Sequence, residues 1–428
     1  MASAADESRA RSSVAAPFPP GGARAAVEFL FGRPLPAAVA GPLVRLADPR
    51  GRILASPDGM AGPSWRRLEV AAARQGLDAA LAAAARGAPG LPPDLDARFS
   101  ALRRCALAQE AAQTELLAAL LPRLRRRGVP AIVLKGPAVS ERLPAHLARQ
   151  TRRDVDLLIR PIDLPAALAE VRALGFEPIA PDYYRRRHFH LICIASRRSF
   201  GEVVELHWDV AAPDAPIRFD VGRWFLEAEE AELRAGRALV PPRADEAVYV
   251  GFHAMWGGRP RLRELGDAAC LWRALAPDAR DRAAEAARRV GAAAHLDAAR
   301  RLADALWPEE DSAPPPPAPR RAAWRRALFS PAEILRLGSA AWWPAPFLRQ
   351  RALLPRGAPL APAATDGAPP LDEATPWGAP RARRWTAKSV LAVGAAIAAL
   401  ELRGLAGDET EISRRIGHGV RGAGSISP

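Results

Sequence analysis

Two short apolar segments, AIVLKG (131–136) and RRDVDLLI (152–159), decide what this chain folds into. Each is an aliphatic run of strand length bounded by charged residues or glycine, which is typical of a buried strand. Helical patterns alternate with such segments, since a short helix opens at Pro137 and a second helix is expected over 164–174. Further strands are expected over 176–180, 188–195 and 201–210. The alternation predicts an α+β protein with a small mixed sheet.

Helical patterns flank this sheet on both sides. The spacing of apolar residues predicts one long amphipathic helix over 95–127 and, after Pro216, mostly helices, the first over 222–235. Two strand-like segments, PLVRLAD (42–48) and RILAS (52–56), interrupt the N-terminal helices. We divide the chain into a disordered N-terminus (1–22), a mostly helical region (23–100), the sheet core (101–215), a helical domain (216–306) and Pro-rich linkers with helical segments (307–428).

The charge of the chain bears on its partners. Lys and Arg number 61 against 47 Asp and Glu, a net charge of +14, which on its own favours nucleic acid or an anionic membrane. Only Lys135 and Lys388 are lysines, however, and the arginines are spread along the chain rather than clustered. This distribution argues against nucleic acid as a partner. The longest apolar run, VLAVGAAIAAL (390–400), is too short to span a bilayer, so no membrane span is expected.

The cysteines indicate a compartment. Cys105, Cys193 and Cys270 are far apart in sequence, form no CxxC pair and are odd in number. Such usage argues against a disulfide framework and favours a reducing compartment. The first residues also lack a continuous apolar signal core. We therefore expect a cytoplasmic protein.

Asp154 and Asp156 carry the strongest local signal. Side chains alternate across a strand, so both carboxylates lie on the same face of the predicted strand. Two carboxylates this close repel each other, and a divalent cation such as Mg²⁺ removes that repulsion. The alternative is structural: one aspartate caps a turn and the other pairs with Arg152 or Arg153.

The dipeptide Lys135-Gly136 ends the preceding strand. Lysine binds phosphate as a point charge, and glycine lets the backbone approach a phosphate closely. A helix N-terminus follows, which favours an anion. The alternative is an ordinary strand-end turn with a solvated lysine, although in so arginine-rich a chain a retained lysine favours a specific role.

A third set of polar residues lies in GEVVELHWDV (201–210). Glu205, His207 and Asp209 share one face of the predicted strand, opposite Leu206 and Trp208. Glu205 is a candidate third carboxylate beside the aspartate pair. His207 is a candidate to orient Glu205, contact phosphate or support a metal ligand. The alternative is a solvated edge strand.

Taken in order, the KG, DVDLLI and VELHW segments resemble a known family. The chain is similar to uncharacterised bacterial nucleotidyltransferases of the polymerase-beta-type superfamily, in which KG replaces the usual Gly-Ser. The later stretch GFHAMWGGRPRLRELGDAACL (251–271) resembles the His-bearing helix of that family and the helix that follows it. The resemblance covers roughly 102–272, about 40% of the chain.

The resemblance implies an enzyme that moves a nucleoside monophosphate from an NTP to an acceptor hydroxyl and releases pyrophosphate. The implied catalytic and metal-binding residues, which would hold two Mg²⁺ ions, are Asp154, Asp156 and Glu205. The implied nucleotide-binding residues are Lys135, Gly136, Arg152 and His207. Residues His253, Arg263 and Asp267 would belong to the helical part that closes the nucleotide cleft, with no chemistry assigned to them.

Two other readings stay open from the sequence. The first is a catalytically inactive module that keeps the fold and binds a nucleotide or a partner. The second is a transferase that acts on nucleic-acid ends, which the net charge of +14 suggests and which a steep salt dependence of binding would support. The sequence identifies neither the NTP nor the acceptor, which is expected to be a small molecule or a protein.

Overall fold

The protein is described by a computed structural model. The described residues are 35–49, 60, 62–142, 154–179, 181, 188–195, 203–212, 215–256, 260–308 and 353. The predicted disordered N-terminus, the strand-like segment 52–56 and the apolar run 390–400 lie outside these residues, as do nearly all of the predicted linkers. No helix in the described part is both long and apolar enough to cross a membrane.

The described chain contains helices before, within and after one sheet. The helices are α1 (Ala37–Leu46), α2 (Gly62–Arg74), α3 (Asp78–Ala84), α4 (Pro93–Arg126), α5 (Gly136–Ser140), α6 (Leu164–Ala173), α7 (Val221–Glu227), α8 (Arg243–Met255), α9 (Leu262–Ala274), α10 (Pro277–Val290) and α11 (Ala293–Leu306). The strands are β1 (Ala131–Leu134), β2 (Asp154–Ile159), β3 (Phe176–Pro178), β4 (His190–Ala195), β5 (Val203–His207), β6 (Glu229–Leu233) and β7 (Gly236–Val240). A 3₁₀ turn, Pro161–Asp163, leads into α6.

The seven strands form one mixed sheet in the order β3-β4-β5-β2-β1-β7-β6. Strand β2 lies near the centre, antiparallel to β1 and parallel to β5. Strand β4 runs antiparallel to β5, and β7 runs parallel to β1. The sheet therefore brings β1, β2, β5 and β4 side by side, and these strands carry most of the predicted site residues. The predicted α+β class is confirmed.

Two apolar cores lie on opposite faces of this sheet. One face packs Val133, Val155 and Leu206 against leucines of α4 and α6. The other face contributes Ile132, Leu134 and Leu158 to a larger core. Helices that precede the sheet strands in the chain and helices that follow them complete this core. Since side chains alternate along a strand, β1 and β2 each supply residues to both cores.

The main elements of the sheet core are as predicted. The long helix expected over 95–127 is α4, and the strand expected over 154–159 is β2 with the same bounds. The helix expected over 164–174 is α6, and Gly175 follows it with a positive φ of 87°. A glycine in this left-handed conformation is a common end to a helix.

The helix predicted over 222–235 is wrong beyond Glu227. The chain there forms the hairpin β6–β7, in which Leu233 pairs with Gly236 and Gly236 has a φ of 100°. Glu, Ala and Leu favour helices, but alternate residues such as Leu233, Ala238 and Val240 are buried in the sheet core. The pairing of β7 with β1 overrides the local preference, since it fills that core and satisfies the edge of β1.

The strand predicted over 42–48 is also wrong. Those residues lie mostly in α1, which contains Pro42. Val39, Leu43 and Leu46 are buried at helical spacing and pack against the other N-terminal helices. A short apolar run does not distinguish a strand from a buried helical segment, so packing decides.

Candidate active site

The three predicted carboxylates lie together on one face of the central strands β2 and β5. Asp154 and Asp156 point to the same face of β2 because they are two residues apart. Strand β5 is paired in register with β2 so that Glu205 lies directly beside Asp156. Val155 and Val204, which precede Asp156 and Glu205 in their strands, point to the other face of the sheet and pack in the core there. The alternative of a solvated edge strand is excluded for β5, which lies between β2 and β4.

His207 bridges two of these carboxylates. Its Nε2 lies 2.9 Å from Oδ1 of Asp156 and 3.1 Å from Oε2 of Glu205. Only 2% of His207 is exposed, and its Nδ1 makes no hydrogen bond among the described residues. Burial lowers the pKa of His207, but the hydrogen bonds to Asp156 and Glu205 outweigh burial and raise it. His207 therefore fixes the relative position of the two carboxylates.

Lys135 approaches the same group from strand β1. Its Nζ lies 3.6 Å from Oδ2 of Asp156, 3.3 Å from Nε2 of His253 and 5.8 Å from the centre of the Tyr249 ring. Among the described residues, Lys135 is the one non-glycine residue with a positive φ, at 42°. This backbone conformation is unfavourable for a residue with a side chain. The alternative of a solvated lysine is excluded by these contacts.

The three carboxylates have different protonation preferences. Burial would raise the pKa of Asp156, but the charge of Lys135 and the hydrogen bond from His207 hold it below its usual range. The charge of Asp156, followed by burial, raises the pKa of Asp154. Burial is the main cause of the raised pKa of Glu205. An added cation would relieve the repulsion that raises the pKa of Asp154 and would stabilise the ionised form of the cluster.

A metal ion fits part of this cluster. Asp156, Glu205 and His207 each offer a ligand atom, and the three atoms lie within 4.8 Å of one another. This set overlaps the predicted metal ligands but contains His207, predicted to bind nucleotide, in place of Asp154. Asp154 lies one pleat away on the same face of β2 and is half-buried.

Two residues of the predicted nucleotide site need separate mention. Gly136 has a φ of 42°, and a Cβ there would lie 3.9 Å from the backbone oxygen of Asp154. The backbone conformation, rather than lack of space, therefore calls for glycine. Helix α5 has only five residues, so the predicted helix N-terminus adds little to anion binding and the positive charge comes from Lys135. Arg152 lies outside the described residues.

Sequence reasoning missed two residues of this site and left a third without a role. The sequence motifs do not include Tyr249 and assign no chemistry to His253, yet both residues contact Lys135. Gln113 of α4 lies with its Nε2 3.4 Å from the backbone oxygen of Asp154. The spacing of four residues between Tyr249 and His253 places them on one helix face, which was the available signal.

Two solved structures show a distant likeness to this chain. The antibiotic-resistance factor ANT(2'')-Ia is 16% identical, with a TM-score of 0.30 over 42% of this chain and 92% of that one. An antigenic nucleotidyltransferase-like protein from Paracoccidioides brasiliensis is 15% identical, with a TM-score of 0.27 over 43% of this chain and 91% of that one. At these scores neither structure assigns an activity or a residue to this chain. A comparison with curated proteins returned no match.

A family model gives the assignment. It matches residues 62–308, more than half of the 428 residues, and spans the whole carboxylate cluster together with Lys135 and α8. The family is described as uncharacterised nucleotidyltransferase, and membership implies an NTP substrate. The family resemblance inferred from the KG, DVDLLI and VELHW segments is thereby confirmed, and this chain belongs to the uncharacterised nucleotidyltransferase family.

Proposed function

We propose that this protein is a Mg²⁺-dependent enzyme that transfers a nucleoside monophosphate from an NTP to a hydroxyl of a small molecule or a protein and releases pyrophosphate. One observation carries the proposal. Asp154, Asp156 and Glu205 face one site from neighbouring strands, with the Lys135 ammonium 3.6 Å from Asp156. Carboxylates for a metal beside a cation for phosphate are the parts that phosphoryl chemistry needs.

The residues present suit a hard divalent cation. Carboxylate oxygens are the ligands that Mg²⁺ prefers, and a bound cation would relieve the repulsion between Asp154 and Asp156. Asp154, Asp156 and Glu205 would hold two Mg²⁺ ions, with His207 holding Asp156 and Glu205 in place. When bound, the ions would neutralise charge on the attacking and leaving oxygens of the transferred phosphoryl group.

Lys135 and Gly136 would bind the triphosphate on the β1 side of the carboxylates. Burial acts to lower the pKa of Lys135, but the negative charges of Asp156, Asp154 and Glu205 outweigh burial and raise it, so the ammonium stays protonated. A permanent cation at this position would stabilise the charge of the departing pyrophosphate.

The acceptor would then approach from the β4 side. In an in-line displacement the attacking and leaving oxygens lie on opposite sides of phosphorus. Across the sheet, Lys135 follows β1 at one side, and β4 lies beyond Glu205 at the other, with Ile192 opposite Glu205 and His190 opposite His207. Glu205 is the carboxylate nearest to this side, and its raised pKa suits a group that takes a hydroxyl proton.

The chemistry of the β4 side limits the acceptor. Burial, then the charges of His207 and His188, lowers the pKa of His190 to about 3, so His190 is neutral at physiological pH. Ile194, on the same face of β4, is 43% exposed. These residues would present a largely uncharged surface to the acceptor.

The cysteines support a proposal about the compartment. Cys105 is an exposed free thiol and Cys193 a buried one. We extend the proposal to a reducing compartment, the bacterial cytoplasm, where such thiols persist.

The test is transfer of label. Full-length protein is incubated with Mg²⁺, each of the four α-labelled NTPs and host-cell lysate as a pool of acceptors. Label is expected to move to a lysate component, or to the protein itself, and to be absent with the matched double variant Asp154→Asn/Asp156→Asn. If no label moves and calorimetry detects no NTP binding, the enzyme proposal is wrong and the inactive module is favoured.

The lysate experiment also separates the nucleic-acid alternative. Label that moves to RNA or DNA, together with binding that weakens steeply with salt, would support a transferase acting on nucleic-acid ends. Label that moves to a small molecule or protein would exclude that reading.

A further inference from the structure

Helix α8 presents three polar or aromatic residues to the turn that carries Lys135. Glu246, Tyr249 and His253 are spaced by three and four residues, so they form one stripe along the helix. Its contacts are with Lys135 and Arg142, which lie on either side of the five-residue helix α5. All three lie in a helix otherwise packed into the larger apolar core, where polar side chains need partners.

One end of the stripe holds Lys135. The Nζ of Lys135 lies 3.3 Å from Nε2 of His253 and above the ring of Tyr249, 5.8 Å from its centre. Asp156 completes the surroundings of the ammonium on the strand side at 3.6 Å. An ammonium has three protons to donate, enough for both His253 and Asp156.

Glu246, at the other end of the stripe, contacts the segment that follows α5. Arg142, two residues beyond α5, donates from Nη2 to Oε2 of Glu246 and from Nε to the backbone oxygen of Ala138. Glu246 is completely buried, with a relative exposure of 0%. Helix α8 therefore contacts both ends of the segment from Lys135 to Arg142.

His253 is suited to accept a hydrogen bond. The positive charge of Lys135, together with burial, lowers the pKa of His253 well below its ordinary value, so the ring is neutral. A neutral imidazole has one nitrogen with a free lone pair, and Nε2 is the nitrogen that faces Lys135. The ammonium donates and His253 accepts.

We propose that His253 is a positioning residue that, with Tyr249 as the wall behind it, aims the Lys135 ammonium at the polyphosphate site beside Asp156. The α8 helix thereby becomes part of the phosphate-binding machinery, although His253 lies 118 residues from Lys135 in sequence. The ligand named here, the polyphosphate of an NTP, rests on the proposed function, whereas the seating of the ammonium does not.

The first test observes Lys135 directly. The chain has two lysines, so a Lys388→Arg background labelled with ¹⁵N-lysine gives one side-chain ammonium signal. A hydrogen-bonded, half-buried ammonium exchanges its protons slowly and is expected to be visible. His253→Leu should shift or broaden this signal, and His253→Gln, whose amide oxygen accepts a hydrogen bond, should restore much of it. An unchanged signal in His253→Leu would overturn the proposal.

A matched control is available in α11. His295 is 1% exposed and packs against Phe252 of α8 with ring centres 5.2 Å apart, and neither of its nitrogens has a hydrogen-bond partner in the described part of the chain. His295→Leu removes a buried histidine from the same helical core without touching Lys135. The Lys135 signal should stay unchanged in this variant. A shift equal to that in His253→Leu would show a general packing effect and overturn the proposal.

The second test measures phosphate binding. Calorimetry of the full chain with inorganic tripolyphosphate and with NTP should show a Kd about ten- to a hundredfold higher in His253→Leu, which is the range for loss of a hydrogen bond to a charged group. His295→Leu should bind as the wild type does. Equal binding by His253→Leu and wild type contradicts the proposal. If the wild type binds neither ligand, the proposed function fails, and the ammonium signal still decides the role of His253.

Discussion

The two faces of the sheet differ in chemistry where β2 and β5 lie side by side, although both faces also pack against an apolar core. On one face Val155, Leu157 and Leu206 are fully buried against α4 and α6. On the other, their immediate neighbours Asp156 and Glu205 share a histidine and lie beside a lysine. Alternation of side chains along a strand places the dry core and the charged cluster back to back.

The difference shows what each face contributes. The apolar face stabilises the fold, because each buried leucine contributes about 2 kcal/mol by leaving water. The charged face is destabilising on its own, because buried carboxylates need partners, and here Lys135 and His207 supply them. We therefore expect substitutions on one face to reduce stability and those on the other to reduce function.

The sharpest test compares adjacent residues of β5. Glu205→Gln should reduce nucleotidyl transfer by about a thousandfold, because a carboxylate ligand is lost, and change the free energy of unfolding by less than about 1 kcal/mol. Leu206→Ala should reduce the free energy of unfolding by about 3 kcal/mol, because it leaves a cavity, while transfer per folded molecule is kept. Urea unfolding and transfer rates on the two proteins measure both quantities. The reverse pattern would contradict the division between faces.

Glu246 predicts how stability depends on pH. Burial raises its pKa to about 7 from an ordinary value of 4.5, in spite of the opposing effect of Arg142. The native state therefore holds this proton more tightly than the unfolded state. The stability that Glu246 contributes is fully present below about pH 4.5 and is lost as pH rises through about 7, a change on the order of 3 kcal/mol.

Thermal unfolding of Glu246→Gln between pH 4.5 and 8 checks this expectation. The variant lacks the titration, so its Tm should rise relative to the wild type as the pH increases. Glu115→Gln, at an exposed position of α4, is the control and should track the wild type at every pH. A difference between Glu246→Gln and wild type that does not vary with pH would contradict the prediction.

The smallest expected effect concerns the backbone at Lys135. With φ at 42° and ψ at −147°, this position favours glycine, so Lys135→Gly should be more stable than Lys135→Ala by about 1 kcal/mol. Both variants lose the ammonium, so both should bind NTP weakly. The control is Ala111→Gly at an exposed position of α4, where glycine should be less stable by about 1 kcal/mol. Equal stability of the two Lys135 variants would mean that the turn relaxes without cost.

Much of the candidate site could be predicted because it depends on local patterns. The two-residue spacing of Asp154 and Asp156, and of Glu205 and His207, places each pair on one face of its strand. The same alternation places Leu206 on the opposite face of its strand, and Leu206 is buried there. Where local preference and packing disagree, as in the β6–β7 hairpin, prediction from sequence failed.

Which residues share a face of each strand follows from the sequence alone, because side-chain alternation is a property of a single extended chain. The KG, DVDLLI and VELHW segments also predicted the family, which the match over residues 62–308 confirms. The position of Glu205 beside Asp156 and the contacts of His253 and Tyr249 with Lys135 arise only in the folded chain. These contacts join residues up to 118 positions apart. Strand register and helix packing set them, and no local pattern encodes either one.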